Sequence, residues 1–151
     1  MIDLPSALSG NAFDALFERG IVIRTLVQLN DGSTDYKRLL IANVDCTDPS
    51  KDILHFFCTS KTDFYERNKW VKNDCLLVPL GNGGDAFDKP MAINLREPYT
   101  IRKSELRRRY QDGELQFLGA LPPAIIQAMD EKIFGSKLLT PEQKSLILPP
   151  D

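Results

Sequence analysis

A hydrophobic segment of the chain ends abruptly on residues that can bind an anion. The sequence HFFCTSKTD, residues 55–63, begins with the apolar and aromatic residues of a buried strand and then reaches Thr59, Ser60 and Lys61. Two hydroxyls and an ammonium group can all donate hydrogen bonds to a phosphate. Either the strand simply leaves the core at this point, or its end forms a site.

Lysine, histidine and cysteine are three further residue types that can take part in chemistry. Lys37 and Lys61 are candidates to bind the successive phosphates of a polyanion, although lysines at such positions are more often only solvated. His55 is the one histidine and lies inside an apolar run, so we expect a packed histidine rather than a catalytic base. The three cysteines show no Cys-x-x-Cys spacing, which favours reduced thiols in a cytosol over a disulfide framework or a zinc site.

The size and charge of the chain set the range of functions. Its 151 residues, 42% of them hydrophobic, suffice for one domain with one real core. The net charge of −2 requires neither a nucleic acid nor a membrane as partner, so a polyanion site would be a local patch. We find no apolar run of about 18 residues and no signal peptide, and we expect a cytoplasmic protein without a membrane partner.

Strands dominate the first two thirds of the chain. Residues 21–29, 37–45 and 53–60 are rich in β-branched and aromatic residues, and Asp31-Gly32 is a hairpin-turn signal between the first two. These three strands pair most simply as an antiparallel meander. Two shorter strands are predicted at residues 75–80 and 91–95.

Helices are expected near both ends. Residues 6–19 predict a short helix, and further helices are predicted from about Ser104, over the segment PPAIIQAMDEKIFG, and from Thr140. The prediction is one α+β domain, a small antiparallel barrel or curled sheet with mostly C-terminal helices. Its parts are an N-terminal helical extension (1–19), the barrel (20–135) and a tail helix (136–151).

The order of these segments is similar to that of a known family. The strand GIVIRTLV, the loop and strand GSTDYKRLLIAN, the strand end HFFCTS, and the later segments NLREPYTIRKSEL and PPAIIQAMDEKIF follow one another. Together, over about residues 19 to 135, they resemble the PemK and MazF toxins of bacterial type II toxin–antitoxin systems. The likeness lies in order and spacing rather than in a single motif.

The resemblance implies a fold and an activity. Such toxins are homodimers with an SH3-like barrel of the PemK/MazF/CcdB type, and they cleave single-stranded RNA without metal or other cofactor. The positions that match their catalytic residues are Arg38, Thr59 and the adjacent Ser60. Lys37, Lys61 and Arg96 are the candidate RNA-binding residues, and a small acidic antitoxin is the implied protein partner.

These residue types suit RNA cleavage. The 2′-hydroxyl of the RNA attacks the neighbouring phosphorus, and negative charge gathers on the phosphoryl oxygens in the transition state. A guanidinium can meet two of those oxygens, with hydroxyl donors beside it. Each such donor lowers the barrier by about 3 kcal/mol.

One part of the family pattern is missing. Where plasmid-type toxins carry an Arg and an Asp two residues apart, the segment NLREPYTI places Asn94 and Arg96. The acid–base pair is not reproduced, and Glu97 would replace it only after a one-residue shift. The alternatives are therefore a catalytically inactive barrel that binds RNA or protein, and an unrelated domain that shares only the strand periodicity.

Two other features leave alternatives open. The run RKSELRRRY concentrates basic residues, and we weigh an RNA-backbone patch, a contact for an acidic antitoxin and a solvated helix face. Tyr65 and Trp70 could stack on bases, although such aromatics more often anchor a loop on the core.

Overall fold

A seven-stranded sheet forms the centre of the computed structural model, which describes residues 10–68 and 73–149. Every strand pairing found in it is antiparallel. The strands are β1 (Ile21–Gln28), β2 (Thr34–Ile41), β3 (Ile53–Thr59), β4 (Cys75–Val78), β5 (Met91–Asn94), β6 (Tyr99–Ile101) and β7 (Leu115–Ala120).

The strand order is β4-β5-β3-β2-β1-β7. Strand β6 lies outside this order and pairs with the first half of β3, whereas β5 pairs with the second half. The predicted meander of the first three strands is confirmed, with Gln28 opposite Thr34 across the hairpin and Arg38 opposite Cys58. Within the described ranges β4 and β7 end the order without pairing with each other. The α+β class and the antiparallel sheet are therefore confirmed, whereas the SH3-like barrel type stays a prediction.

In the part of the chain that the structure describes, five helices lie around the sheet. They are α1 (Gly10–Asp14), α2 (Thr62–Arg67), α3 (Lys103–Gln111), α4 (Pro123–Phe134) and α5 (Pro141–Ile147), and a 3-10 turn covers Gly84–Ala86. Helix α4 has a proline in its first turn and Gly135 directly after its end, as its sequence predicted. None of the helices in the described ranges is both long and apolar enough to cross a membrane.

Both faces of the central strands are covered. Because successive side chains of a strand point to opposite faces, the run Leu39-Leu40-Ile41 supplies both sides. The first core includes Leu40 and lies between the sheet and helices α4 and α5, whose Met129, Ile133 and Ile147 are buried in it. The second core packs Phe13, Phe17, Ile23, Leu39, Ile41, Leu106 and Phe117 between the sheet, α1 and α3.

Strand β2 differs from its predicted range of 37–45. It begins earlier, at Thr34, because the hairpin ladder continues through polar residues as far as Gln28. It ends earlier, at Ile41, because Asn43 organises the following connection: its side-chain amide donates to the Asp52 carbonyl (3.0 Å) and accepts from the Leu54 amide (2.9 Å). Hydrogen bonds of the Asn43 side chain thus take the place of backbone hydrogen bonds between strands at that end of β2.

The N-terminal helix is also shorter than predicted. Of the range 6–19, the described part forms α1 only over Gly10–Asp14, and residues 1–9 lie outside the described residues. Phe13 and Phe17 are both buried, and their rings pack edge to face at 5.2 Å. After Asp14 the chain turns, with the Leu16 amide donating to the Phe13 carbonyl at 3.0 Å and the Phe17 amide donating to the Asp14 carbonyl at 3.4 Å.

The capping box that begins α5 provides a stability prediction. The Thr140 hydroxyl accepts from the Gln143 amide (3.1 Å), and the Gln143 side chain accepts from the Thr140 amide (2.9 Å). Thr140→Ala removes one half of this box, so we expect the free energy of unfolding to fall by about 1 kcal/mol. Urea denaturation measures the change. Thr140→Ser keeps the hydroxyl and is expected to retain most of the stability; an equal loss in both variants would contradict the capping role.

Candidate functional site

The candidate site contains two arginines that lie on one face of the sheet, at the end of the first core. Arg24 on β1 is paired with Arg38 on β2, and Arg38 is paired with Cys58 on β3. Arg24 lies two positions after the buried Val22, and Arg38 lies two positions before the buried Leu40. The same face therefore changes from apolar to basic along adjacent strands.

A cleft of about 360 Å³ opens at this basic end. It contains five of the six site residues proposed from the sequence, namely Lys37, Arg38, Thr59, Ser60 and Lys61. The remaining lining residues are Arg24, Asp35, Tyr36, Cys58, Lys89 and Met91. Five basic residues and one acidic residue thus share a cleft in a chain of net charge −2, which makes it the local positive patch that a polyanion would need.

The Arg38 guanidinium makes few contacts with the rest of the described structure. In the described structure its Nη2 forms an ion pair with the Asp88 carboxylate at 3.4 Å, a long contact with a side chain that is 79% exposed. Its Nε is buried and has no hydrogen-bond partner in the described structure. A single weak contact leaves the planar fork of this side chain able to bind an anion with two parallel hydrogen bonds.

The end of β3 presents its hydroxyls to the same cleft. The Thr59 Oγ1 accepts a hydrogen bond from the Lys61 amide at 3.1 Å, which fixes the turn after the strand. Because the hydroxyl accepts in that bond, its own proton can be donated to a ligand. Cys58 also lines the cleft, but burial raises the pKa of its thiol to about 12, so it is neutral and adds no negative charge.

Several cleft residues, among them Arg24, Asp35, Tyr36 and Lys89, were not singled out from the sequence. The Arg24 guanidinium lies 4.2 Å from the ring centre of Tyr36, a cation–π geometry that holds both side chains at the rim. Counting back from the Asp31-Gly32 turn would have paired Arg24 with Arg38. Lys89 comes from the irregular segment before β5, and no sequence pattern indicated it.

The structure does not bring Arg96 to the Arg38 cleft. Arg96 lines a separate cleft with Asn94, Glu97, Tyr99 and residues of the C-terminal part of the chain. Its amide donates to the Asn94 side chain at 3.1 Å in the turn after β5. A one-residue shift of register would therefore not place Glu97 beside Arg38 either.

His55 is a packed histidine, as the sequence predicted. Its side chain is 4% exposed, with ring centres at 5.5 Å from Phe57 and 6.2 Å from Tyr99. Burial is the main cause that lowers its pKa from 6.5 to about 4, and Nδ1 has no hydrogen-bond partner in the described structure. It does not line the Arg38 cleft and is not placed to act as a base there.

The basic run on α3 is engaged inside the chain. Arg107 contacts Asp14 on α1 at 3.1 Å, while Arg108 and Arg109 both contact Glu105, at 2.6 and 3.1 Å. These pairs neutralise the charges that would otherwise form a basic face. The RNA-backbone and antitoxin-contact interpretations of this helix are therefore weaker than its structural role.

Of the two aromatics considered for stacking, only Tyr65 is placed. Trp70 lies outside the described residues. Tyr65 is partly buried on α2 and meets Phe64 edge to face at 5.4 Å. Phe64, which sequence reasoning passed over, is the more exposed of the pair, at 53%.

No family model and no curated protein sequence matches the chain. The likeness to PemK and MazF toxins stays a hypothesis drawn from segment order. The residues that meet in the Arg38 cleft are therefore the basis for inferring a function.

Proposed function

We propose that the chain is a PemK/MazF-like endoribonuclease that binds single-stranded RNA in the Arg38 cleft and cleaves it without metal. The observation that carries the proposal is the meeting of Arg38, Thr59 and Ser60 in one positively charged cleft, flanked by Lys37 and Lys61. These are the groups that transition-state charge on a phosphate requires. The proposal includes closure of the sheet as an SH3-like barrel.

In the proposed reaction the RNA supplies the nucleophile. Its 2′-oxygen forms a bond to the adjacent phosphorus, the bond from phosphorus to the 5′-oxygen breaks, and the products are a 2′,3′-cyclic phosphate and a 5′-hydroxyl. Arg38 binds the two non-bridging oxygens, where charge develops, in place of its weak contact with Asp88. The Thr59 hydroxyl donates beside it.

The cleft also offers groups for proton transfer. Asp35 lines the cleft, 3.7 Å from the Lys37 ammonium, and its carboxylate can accept the 2′-hydroxyl proton. The ammonium groups of Lys61 and Lys89 lie on the same cleft and can donate a proton to the 5′-oxygen. In this scheme Asp35 and a lysine replace the acid–base pair that Asn94 and Arg96 do not reproduce.

The partners in the proposal are a second copy of the chain and a small acidic antitoxin, in the cytoplasm. The homodimer rests on the family resemblance alone. For the antitoxin the cleft gives a physical reason, since an acidic segment laid across five basic side chains would compete directly with RNA.

A second candidate function is RNA binding without cleavage. It is favoured by the position of Asn94, Arg96 and Glu97 in a different cleft, which leaves the family's acid–base positions away from Arg38. Both functions need RNA to bind at Arg38, and they differ only in whether the strand is cut.

Removal of the Asp88 carboxylate tests binding at the cleft. Because Asp88 competes with phosphate for Arg38, Asp88→Asn is expected to raise the affinity for a short 2′-O-methyl RNA by up to about fivefold. The strand cannot be cut by the proposed reaction, so fluorescence anisotropy reports binding alone.

Glu97→Gln is the matched control, since Glu97 lies in the other cleft, and it should leave the affinity unchanged. Equal gains from both variants would mean that only overall charge matters. Absence of binding by the parent protein would overturn both candidate functions.

A further inference from the structure

A second cleft, of about 440 Å³, adjoins the Arg38 cleft. The two have Ser60 and Lys61 in common, so these two residues form a shared rim. The other lining residues of the second cleft come from helix α2 and its end: Thr62, Asp63, Phe64, Arg67 and Asn68. We refer to it as the α2 cleft.

Phe64 is an unusual residue for this position. The α2 helix contains no buried residue, and the Phe64 side chain is 53% exposed although the ring is large and apolar. The ring does not contribute to either core. An exposed aromatic ring next to a phosphate-binding cleft is the arrangement on which an unpaired base stacks.

The same cleft carries a basic residue at its far side. The Arg67 side chain is 78% exposed, and its contact with Asp63 is long, at 3.7 Å, between two exposed groups. Such a pair adds little stability, so the guanidinium can exchange this partner for a phosphate at small cost. At the end of the helix Asn68 donates to the Phe64 carbonyl at 2.7 Å, which holds the chain beyond Phe64 in place.

We propose that the α2 cleft binds the nucleotide next to the one held at Arg38, with its base stacked on Phe64 and its phosphate near Arg67. The inference rests on the proposed function and adds to it a subsite for the base of the neighbouring nucleotide. A strand that crosses the Ser60–Lys61 rim passes from one cleft into the other without leaving the surface. A base can lie on Phe64 only when it is unpaired, so the cleft selects single strands over duplexes.

The test separates base stacking from phosphate binding. Phe64→Leu keeps an apolar side chain but removes the ring, and α2 has no buried residue whose loss would unfold the domain. The ligands are a short single-stranded 2′-O-methyl RNA and an abasic strand of the same length. We expect Phe64→Leu to weaken binding of the RNA by about tenfold and to leave the abasic strand unchanged.

Two further variants sharpen the result. Phe134→Leu is the matched control, because Phe134 is even more exposed, at 77%, and lines neither cleft. Phe134→Leu should leave both affinities unchanged. Phe64→Trp keeps an aromatic ring, so its affinity for RNA should equal or exceed that of the parent protein.

The outcomes distinguish this inference from the proposed function. If Arg38→Ala weakens both ligands while Phe64→Leu weakens neither, the phosphate cleft stands and the stacking subsite is wrong. Equal losses for RNA and abasic strand in Phe64→Leu would also overturn it, because an effect without a base is not stacking. If the parent protein binds neither ligand, the proposed function and this inference both fail.

Discussion

Replacing Arg38 with alanine is expected to lower the rate of RNA cleavage by about 100- to 1,000-fold, the usual effect of removing one preorganised donor from an oxyanion site. The effect should be this large because the side chain is only 21% exposed and holds its guanidinium in the cleft beside the β3 hydroxyls. Arg38→Lys keeps the charge but loses the bidentate geometry, so most of the loss should remain. Single-turnover cleavage of a labelled RNA measures these rates.

Arg96→Ala is the matched control for that experiment. Arg96 was proposed from the sequence as an RNA-binding residue, but it lies in a different cleft. Its replacement is expected to change the cleavage rate by less than about threefold, as for a charge that only contributes to the general field. Loss of activity in Arg96→Ala, together with normal activity in Arg38→Ala, would place the reaction in the other cleft.

Acid should destabilise the folded chain through His55. Burial lowers the pKa of this histidine from 6.5 in the unfolded chain to about 4 in the folded chain. Between these values the unfolded state binds more protons, so the free energy of unfolding falls as the pH falls through this window. The full loss is roughly 3 kcal/mol, and it is complete only below the folded pKa.

The comparison that isolates this effect uses His55→Phe. A phenyl ring suits the aromatic contacts with Phe57 and Tyr99 and carries no titrating group. Urea denaturation of both proteins at neutral pH and near pH 4 should show a smaller acid-induced loss in the variant. The same pH dependence in both would mean that other groups, not His55, control the acid sensitivity.

The central strands were predictable because their local signals agree with one another. β-Branched and apolar runs flank an Asp31-Gly32 turn, and an antiparallel meander is the simplest pairing that fits this order. The capping box at Thr140 was readable for the same reason, since its two hydrogen bonds involve residues three apart. The end of β2 at Ile41 was not predictable, because the Asn43 side chain forms its hydrogen bonds with Asp52 and Leu54, which come later in the chain.

Most of the candidate site was predictable, and its exceptions have physical causes. Lys37 and Arg38 lie in the middle of β2, and Arg38 is paired with Cys58 near the end of β3. Thr59, Ser60 and Lys61 follow directly after Cys58, so the meeting of the two groups follows from the meander. Arg96 was placed by segment order alone, which does not determine the cleft that it lines.

Two of the three interpretations of the basic run on α3 made it an interface, and the sequence shows only part of the ion pairing of this run. Glu105 lies three and four residues before Arg108 and Arg109, so those pairs follow from helical spacing. Arg107 of the same run is neutralised by Asp14, a residue 93 positions away, which only the folded chain brings near. Net charge along a helix therefore overestimated the exposed positive face, whereas the positive cleft at Arg38 has one acidic lining residue against five basic ones.

The most direct test of the central claim compares two strands of the same sequence in EDTA, one of RNA and one of 2′-O-methyl RNA. The purified protein is expected to cut the RNA into fragments ending in a 2′,3′-cyclic phosphate and to leave the methylated strand intact. It is expected to bind both strands. RNA that stays intact while bound would contradict the cleavage mechanism and leave the Arg38 cleft as a binding site, and cutting of the methylated strand would show that the 2′-hydroxyl is not the nucleophile.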